Sequence, residues 1–145
     1  MTFDTNLILL DGSIDLTAAT DTAPTSTTRD AATGAAVLDI KKTALRGLAA
    51  VLICADSANG DTDTLTAFIE CSSEVDFTSD VSEHGKFDKL ATDKGIIVGS
   101  EVPDVFIVRF STDKRYVRLN ATVGASPDDF GTVYCYLTPW AFNDL

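Results

Sequence analysis

The single histidine, His84, is the one side chain placed to exchange protons near neutral pH, and it stands in Ser82-Glu83-His84-Gly85. A Ser/His/Asp relay would have to be built on it. The chain has no Gly-x-Ser-x-Gly elbow to present a nucleophile, and the local sequence puts His84 beside a turn, as a surface residue. Cys54, Cys71 and Cys135 lie too far apart to share a zinc ion with it. Neither Gly-x-Gly-x-x-Gly nor a phosphate-binding P-loop occurs. Asp56, Asn59, Asp61 and Asp63 crowd hard oxygens into one loop, the donor set calcium prefers, but Ala58 and Gly60 fall where an EF-hand needs ligands. That loop reads as a solvated hairpin turning at Asn59-Gly60, and Ser126-Pro-Asp-Asp129 reads as a second solvated acidic loop. Asn120-Ala-Thr122 has the form of a glycosylation acceptor, but it falls inside a strand of a chain that shows no export signal. The residues therefore predict no catalytic centre, no metal site and no cofactor.

Aromatic and arginine side chains are the other group that carries chemistry. In Lys114-Arg-Tyr-Val-Arg-Leu-Asn-Ala-Thr-Val-Gly124, alternation sends Val117, Leu119, Ala121 and Val123 to one face and Tyr116, Arg118, Asn120 and Thr122 to the other. Tyr134 and Tyr136 likewise share the outer face of the last strand, and Trp140 and Phe142 follow it. Tyr, Trp and Arg dominate protein interfaces and, on an open sheet, also suit stacking on sugars. Either a partner uses these faces or a loop or second sheet of the same chain covers them. The apolar N-terminal stretch Thr2–Leu10, with Phe3, Leu7 and Leu9, has the character of a strand end that can add to a neighbour's sheet edge.

These side chains have to be positioned by strands. Apolar runs recur at Asn6–Leu10, Ala35–Ile40, Arg46–Ala55, Leu65–Cys71, Lys86–Leu90, Ile96–Val98, Val105–Phe110, Tyr116–Val123 and Thr132–Thr138, with a weaker run at Val75–Phe77. Turn chemistry separates them, at Asp11-Gly12 and around Glu83-His84-Gly85 among other places. This is the pattern of an all-β, antiparallel sandwich or barrel of about eight strands with long loops. Leu48–Ala55 is apolar on both faces, which predicts a central strand whose outer side is covered by a loop, the N-terminal segment or another subunit. Val37–Leu48 also fits a helical spacing, although a short strand followed by a turn suits it better. Thr17–Thr33 is poor in large apolar residues and reads as a long mobile loop or arm.

With 145 residues the chain has the size of one domain, residues 1–145, of which 1–36 include an N-terminal arm and the polar loop. A fold of this length buries roughly 70% of its unfolded surface, enough for a core without staples. The formal charge of −11 opposes direct binding to nucleic acid, since only Arg109, Lys114, Arg115 and Arg118 cluster as cations. No apolar run approaches the roughly 20 residues of a membrane helix. Three scattered cysteines in apolar runs predict buried free thiols of a protein made in a reducing cytoplasm, with a single disulfide as the alternative.

Several segments resemble the small trimeric jelly-roll cement, or decoration, proteins of tailed-bacteriophage capsids: "FDTNLILLDG" with "LTAATDT", "GDTDTLTAFIECSSEVDFTS", "FIVRFSTDKRYVRLNATVG" and "GTVYCYLTP". The resemblance implies an eight-stranded jelly-roll sandwich, a homotrimer, and a place on the capsid exterior of the virion. It implies as partner the major capsid protein of the same phage, whose neighbouring subunits the trimer would clamp against the pressure of packaged DNA. A second expectation is a carbohydrate-binding module that stacks a host-surface glycan on Tyr134, Tyr136 and Trp140, with calcium in the Asp56–Asp63 loop.

Overall fold

Strict alternation over Tyr116–Gly124 buries Val117, Leu119, Ala121 and Val123 and turns the residues between them outward, as a half-buried strand requires. The computed structural model describes residues 5–41, 47–55, 64–91, 104–124 and 129–139. They contain eight strands: β1 (Ile8–Thr17), β2 (Leu38–Asp39), β3 (Leu48–Cys54), β4 (Thr64–Ser72), β5 (Ser82–Ala91), β6 (Asp104–Phe110), β7 (Tyr116–Gly124) and β8 (Asp129–Pro139). One antiparallel sheet has the order β1-β8-β3-β6 and the other β2-β7-β4-β5. The pairs are nested, first with last, second with seventh, third with sixth, fourth with fifth. The expected all-β antiparallel sandwich is the architecture of the protein.

The inner faces meet in one core that includes Leu9, Leu52, Leu65, Ile69, Leu119, Phe130 and Leu137, all fully buried. Each such side chain contributes about 1.5–3 kcal/mol by leaving water. Strand β3 is central, as its two apolar faces require, and pairs over all seven residues with β6 on one side and β8 on the other.

Four local expectations change. Asp11-Gly12 does not end the first strand: β1 runs on to Thr17 through irregular register, with Gly12 at φ +68, so the dipeptide serves a bulge where a turn was expected. Val75–Phe77 lies in the turn between β4 and β5, with Phe77 at φ +55. Glu83-His84-Gly85 belongs to β5 instead of a loop. The Ala35–Ile40 run contracts to Leu38–Asp39, preceded by an isolated bridge between Ala35 and Leu10, and no helix forms over the described part of 37–48.

The polar stretch after β1 is a strap fastened at both ends. Thr22 exchanges two backbone hydrogen bonds of 2.9 Å with Ala121, its hydroxyl donates to the Leu119 carbonyl, and Asp21 Oδ1 accepts from the Val123 N–H. Further along, Asp11 N–H donates to Gly34 and Ala36 N–H to Leu9, both at 3.1 Å. The strap thus leaves the β7 edge of one sheet, bonds the β1 edge of the other and returns to β7 as β2. On the opposite side β5 and β6 approach closely enough that a Cβ at Gly85 would stand 2.0 Å from Val108 Cγ1.

Candidate functional site

Each sheet has an outer face, and the two are treated differently. On the β2-β7-β4-β5 sheet, Arg118 of β7 stands opposite Glu70 of β4. Its Nε donates to Glu70 Oε2 at 2.6 Å, with only 11% and 13% of the two side chains exposed. Asn120 donates to the other carboxylate oxygen at 3.2 Å. A terminal nitrogen of Arg118 donates to the strap carbonyl of Pro24 at 3.1 Å, and the guanidinium lies 4.2 Å from the centre of the Phe77 ring. Ser72, fully buried, donates to the Ser79 carbonyl and holds the same turn down. The predicted contact face of Arg118 and Asn120 is therefore engaged by the chain's own strap and turn, and Tyr116 sits half-buried beside it under Arg115, 5.0 Å from its ring centre.

The basic cluster is paired in the same way. Lys114 donates to Asp80 at 2.6 Å, and Arg115 grips Asp39 with two bonds of 3.0 and 2.8 Å. The Lys114 ammonium beside Asp80 holds that carboxyl below its ordinary range, and the Arg115 guanidinium does the same for Asp39. Arg29 ties the strap to β1 by donating to the carbonyls of Gly34 and Ile8, with Asp11 at 3.6 Å.

The outer face of the β1-β8-β3-β6 sheet is apolar. One cross-strand row runs Ile8, Tyr136, Val51, Ile107, and the next runs Tyr134, Ile53, Val105. Val105 and Ile107 keep 55% and 56% of their surface exposed and Tyr134 36%, large values for aliphatic and aromatic side chains held side by side. The Tyr134 ring fills the space a side chain at Gly12 would take, within 2.3 Å of an ideal Cβ there, so the Tyr134 ring is packed against the β1 bulge. A small cavity of about 90 Å³ opens beside it between Ile8, Leu10 and Tyr136. This face is half legible in the sequence: Tyr134 and Tyr136 are expected on it, whereas Val105 and Ile107 are missed, although the run Val105–Val108, apolar on both faces as Leu48–Ala55 is, was the available signal.

The remaining predicted site residues divide plainly. Leu9 is fully buried and Leu7 packs against the core, so from Ile8 onward the N-terminal stretch is part of the protein's own sheet and Leu9 is not available to a partner. Phe3, Trp140 and Phe142, and the Asp56–Asp63 loop, lie outside the described residues. Among the described residues no three His, Cys, Asp or Glu side chains converge to hold a metal, and no helix is long and apolar enough to cross a membrane.

His84 does meet a serine. Its Nε2 is 2.8 Å from Ser82 Oγ, and that hydroxyl also lies 3.3 Å from the Cys71 carbonyl as its donor. A hydroxyl has one proton. Given to the carbonyl, it leaves the imidazole as donor to Oγ, the reverse of base activation. Cys54, Cys71 and Cys135 are free and buried; burial pushes the Cys71 thiol up to about 11 and raises Cys135 further.

No family model matches the chain, and comparison with curated proteins returns no match.

Proposed function

We propose that this chain is a structural protein of the tailed-phage virion, a jelly-roll decoration protein that binds the outside of an assembled capsid as a trimer and clamps neighbouring major capsid subunits. The observation that carries the proposal is the one-sidedness of the sandwich. One sheet has its outer polar residues spent on its own strap and turn, while the other presents Ile8, Tyr134, Tyr136, Val105 and Ile107 outward. An exposed apolar face on an otherwise acidic molecule suits a docking role, and the net charge of −11 favours a partner surface of opposite sign. The nested strand pairing supports the jelly-roll wiring, since a long hairpin rolled into two sheets places its strands in these orders. Three weak contacts held together on one trimer bind far more tightly than one, which is how a small protein can hold a shell.

The test is co-sedimentation with capsid shells lacking the protein, alongside light scattering of the free chain. The expected results are a mass near three chains of 15.4 kDa and binding to assembled shells but not to free capsid subunits. A monomer at micromolar concentration with no affinity for shells would refute the proposal.

A further inference from the structure

Strand β2 uses one side of its backbone to join β7. Ile40 N–H donates to the Arg115 carbonyl at 2.9 Å on that side, and because backbone groups of an extended chain alternate in direction, those of Val37 and Asp39 turn to the other. There the Val37 N–H meets the Ser26 carbonyl of the strap at 2.9 Å, whereas the Asp39 N–H and C=O have no partner among the described residues. A groove of about 390 Å³ runs along this stretch, lined by the successive residues Ala36–Asp39, by Thr27 of the strap and by Lys41. Side chains of an extended chain alternate, and those of Val37 and Leu38 are buried, so four successive residues line one groove by presenting their backbone to it. The volume falls within the roughly 300–1,000 Å³ of ligand clefts.

The charges beside the groove leave one cation over. Both Asp39 carboxylate oxygens accept from Arg115, and Oδ1 accepts also from the Lys41 N–H at 3.0 Å. Arg29 gives its terminal nitrogens to the Gly34 and Ile8 carbonyls and lies beside Asp11. Lys41 is exposed, and its ammonium makes no hydrogen bond or ion pair among the described residues. We propose that this groove binds an extended peptide segment carrying a carboxylate. One residue of the segment exchanges backbone hydrogen bonds with Asp39, as an added strand does, and the carboxylate, two residues along the segment, meets the Lys41 ammonium. The backbone of Asp39 sets the extended form of the ligand, and Lys41 sets its charge. An acidic side chain and a free C-terminus offer Lys41 the same chemistry. The inference goes beyond the capsid reading and depends on neither trimer formation nor shell binding.

The test is amide NMR of the full chain with three acetylated pentapeptides: Thr-Val-Thr-Val-Thr with a free C-terminus, the same peptide amidated, and amidated Thr-Val-Glu-Val-Thr. Salt of about 0.15 M shortens the reach of the chain's distant carboxylates to about 8 Å, so that the local cation decides. The Asp39 amide resonance should shift, its hydrogen exchange should slow severalfold at saturation, and a carboxylate peptide should bind severalfold more tightly than the neutral one. Binding of either carboxylate peptide in this way supports the inference, and the preferred one tells a chain end from an acidic side chain. Lys41→Gln, at an exposed position, should leave the rest of the spectrum in place and bring the carboxylate peptides down to the affinity of the neutral one. No shift at Asp39 up to millimolar peptide, or equal affinity for all three peptides, would overturn the inference. Slow exchange of the Asp39 amide in the free chain would overturn it too, by showing that the chain already satisfies that group.

Discussion

Replacing Arg118 by alanine separates a residue that holds the fold from one that touches a partner. The substitution strands Glu70, 13% exposed, with only the Asn120 amide, among the described residues, on its carboxylate. Breaking a buried pair from one side costs about 3–5 kcal/mol, and the residual exposure of both groups places this pair near the lower end, at about 3 kcal/mol. The strap also loses the donor to Pro24, worth about 1 kcal/mol, and Phe77 loses the overlying guanidinium, worth about 0.5–1 kcal/mol. Because these share one side chain they do not add fully, and the expected loss is about 4 kcal/mol. For a chain of this size that lowers Tm by about 8–16 °C, measurable by calorimetry or urea unfolding. Glu70→Leu with Arg118→Met, which removes both charges, should recover the ion-pair part of that loss and leave about 1–2 kcal/mol from the Pro24 and Phe77 contacts. Shell binding below the lowered Tm should be retained, because Arg118 faces the strap. A loss under about 1 kcal/mol for Arg118→Ala, the value of an exposed pair, would refute this account of the buried ion pair.

Two further perturbations test other joints. Gly85→Val should cost about 1–3 kcal/mol by forcing β5 from β6, and Val108→Ala should recover most of it; equal Tm values for the single and double variants would contradict the close approach. Acid should destabilise the protein through Asp39 and Asp80: both have folded pKa values below the ordinary 3.8, so their contribution is complete above that pH and is lost as pH falls through the lowered values. Asp80→Asn should flatten the acid limb of a stability–pH curve, and an unchanged limb would remove Lys114 as the cause.

The strands that sequence alone made legible are those where alternation is dictated by one wet face and one dry one. Leu65–Cys71 and Val133–Leu137 emerge as read, with every second residue in the core. What sequence left hidden depends on distant partners. Asp11-Gly12 has the chemistry of a hairpin turn, but β8 continues alongside it, and only that pairing turns the dipeptide into a bulge. Glu83-His84-Gly85 looked like a loop because Gly marks turns; here the missing side chain admits Val108 from the facing sheet. Arg118 looked like an interface residue because its partners, Glu70 and Pro24, are 48 and 94 residues away.

The β3 strand shows how a sequence can state a need without naming what meets it. Its inner residues Leu48, Ala50, Leu52 and Cys54 fill the core, which accounts for half of its apolar character. The outer residues Ala49, Val51 and Ile53 would gain nothing in a sheet that faced water, where polar residues serve as well. They lie in rows whose ends, Ile107, Val105 and Tyr134, remain outward in the single chain. The β4–β5 turn is held on the other sheet through Arg118 and Ser72, and the strap is shared between the two, bonded to β7 at Thr22 and to the β1 edge at Gly34 and Ala36. Even so, Ala49 and Val51 keep only 1% and 7% of their surface exposed in the single chain, so the outer half of β3 is apolar because its own chain already buries it, and Val105, Ile107 and Tyr134 at the row ends are the part left outward.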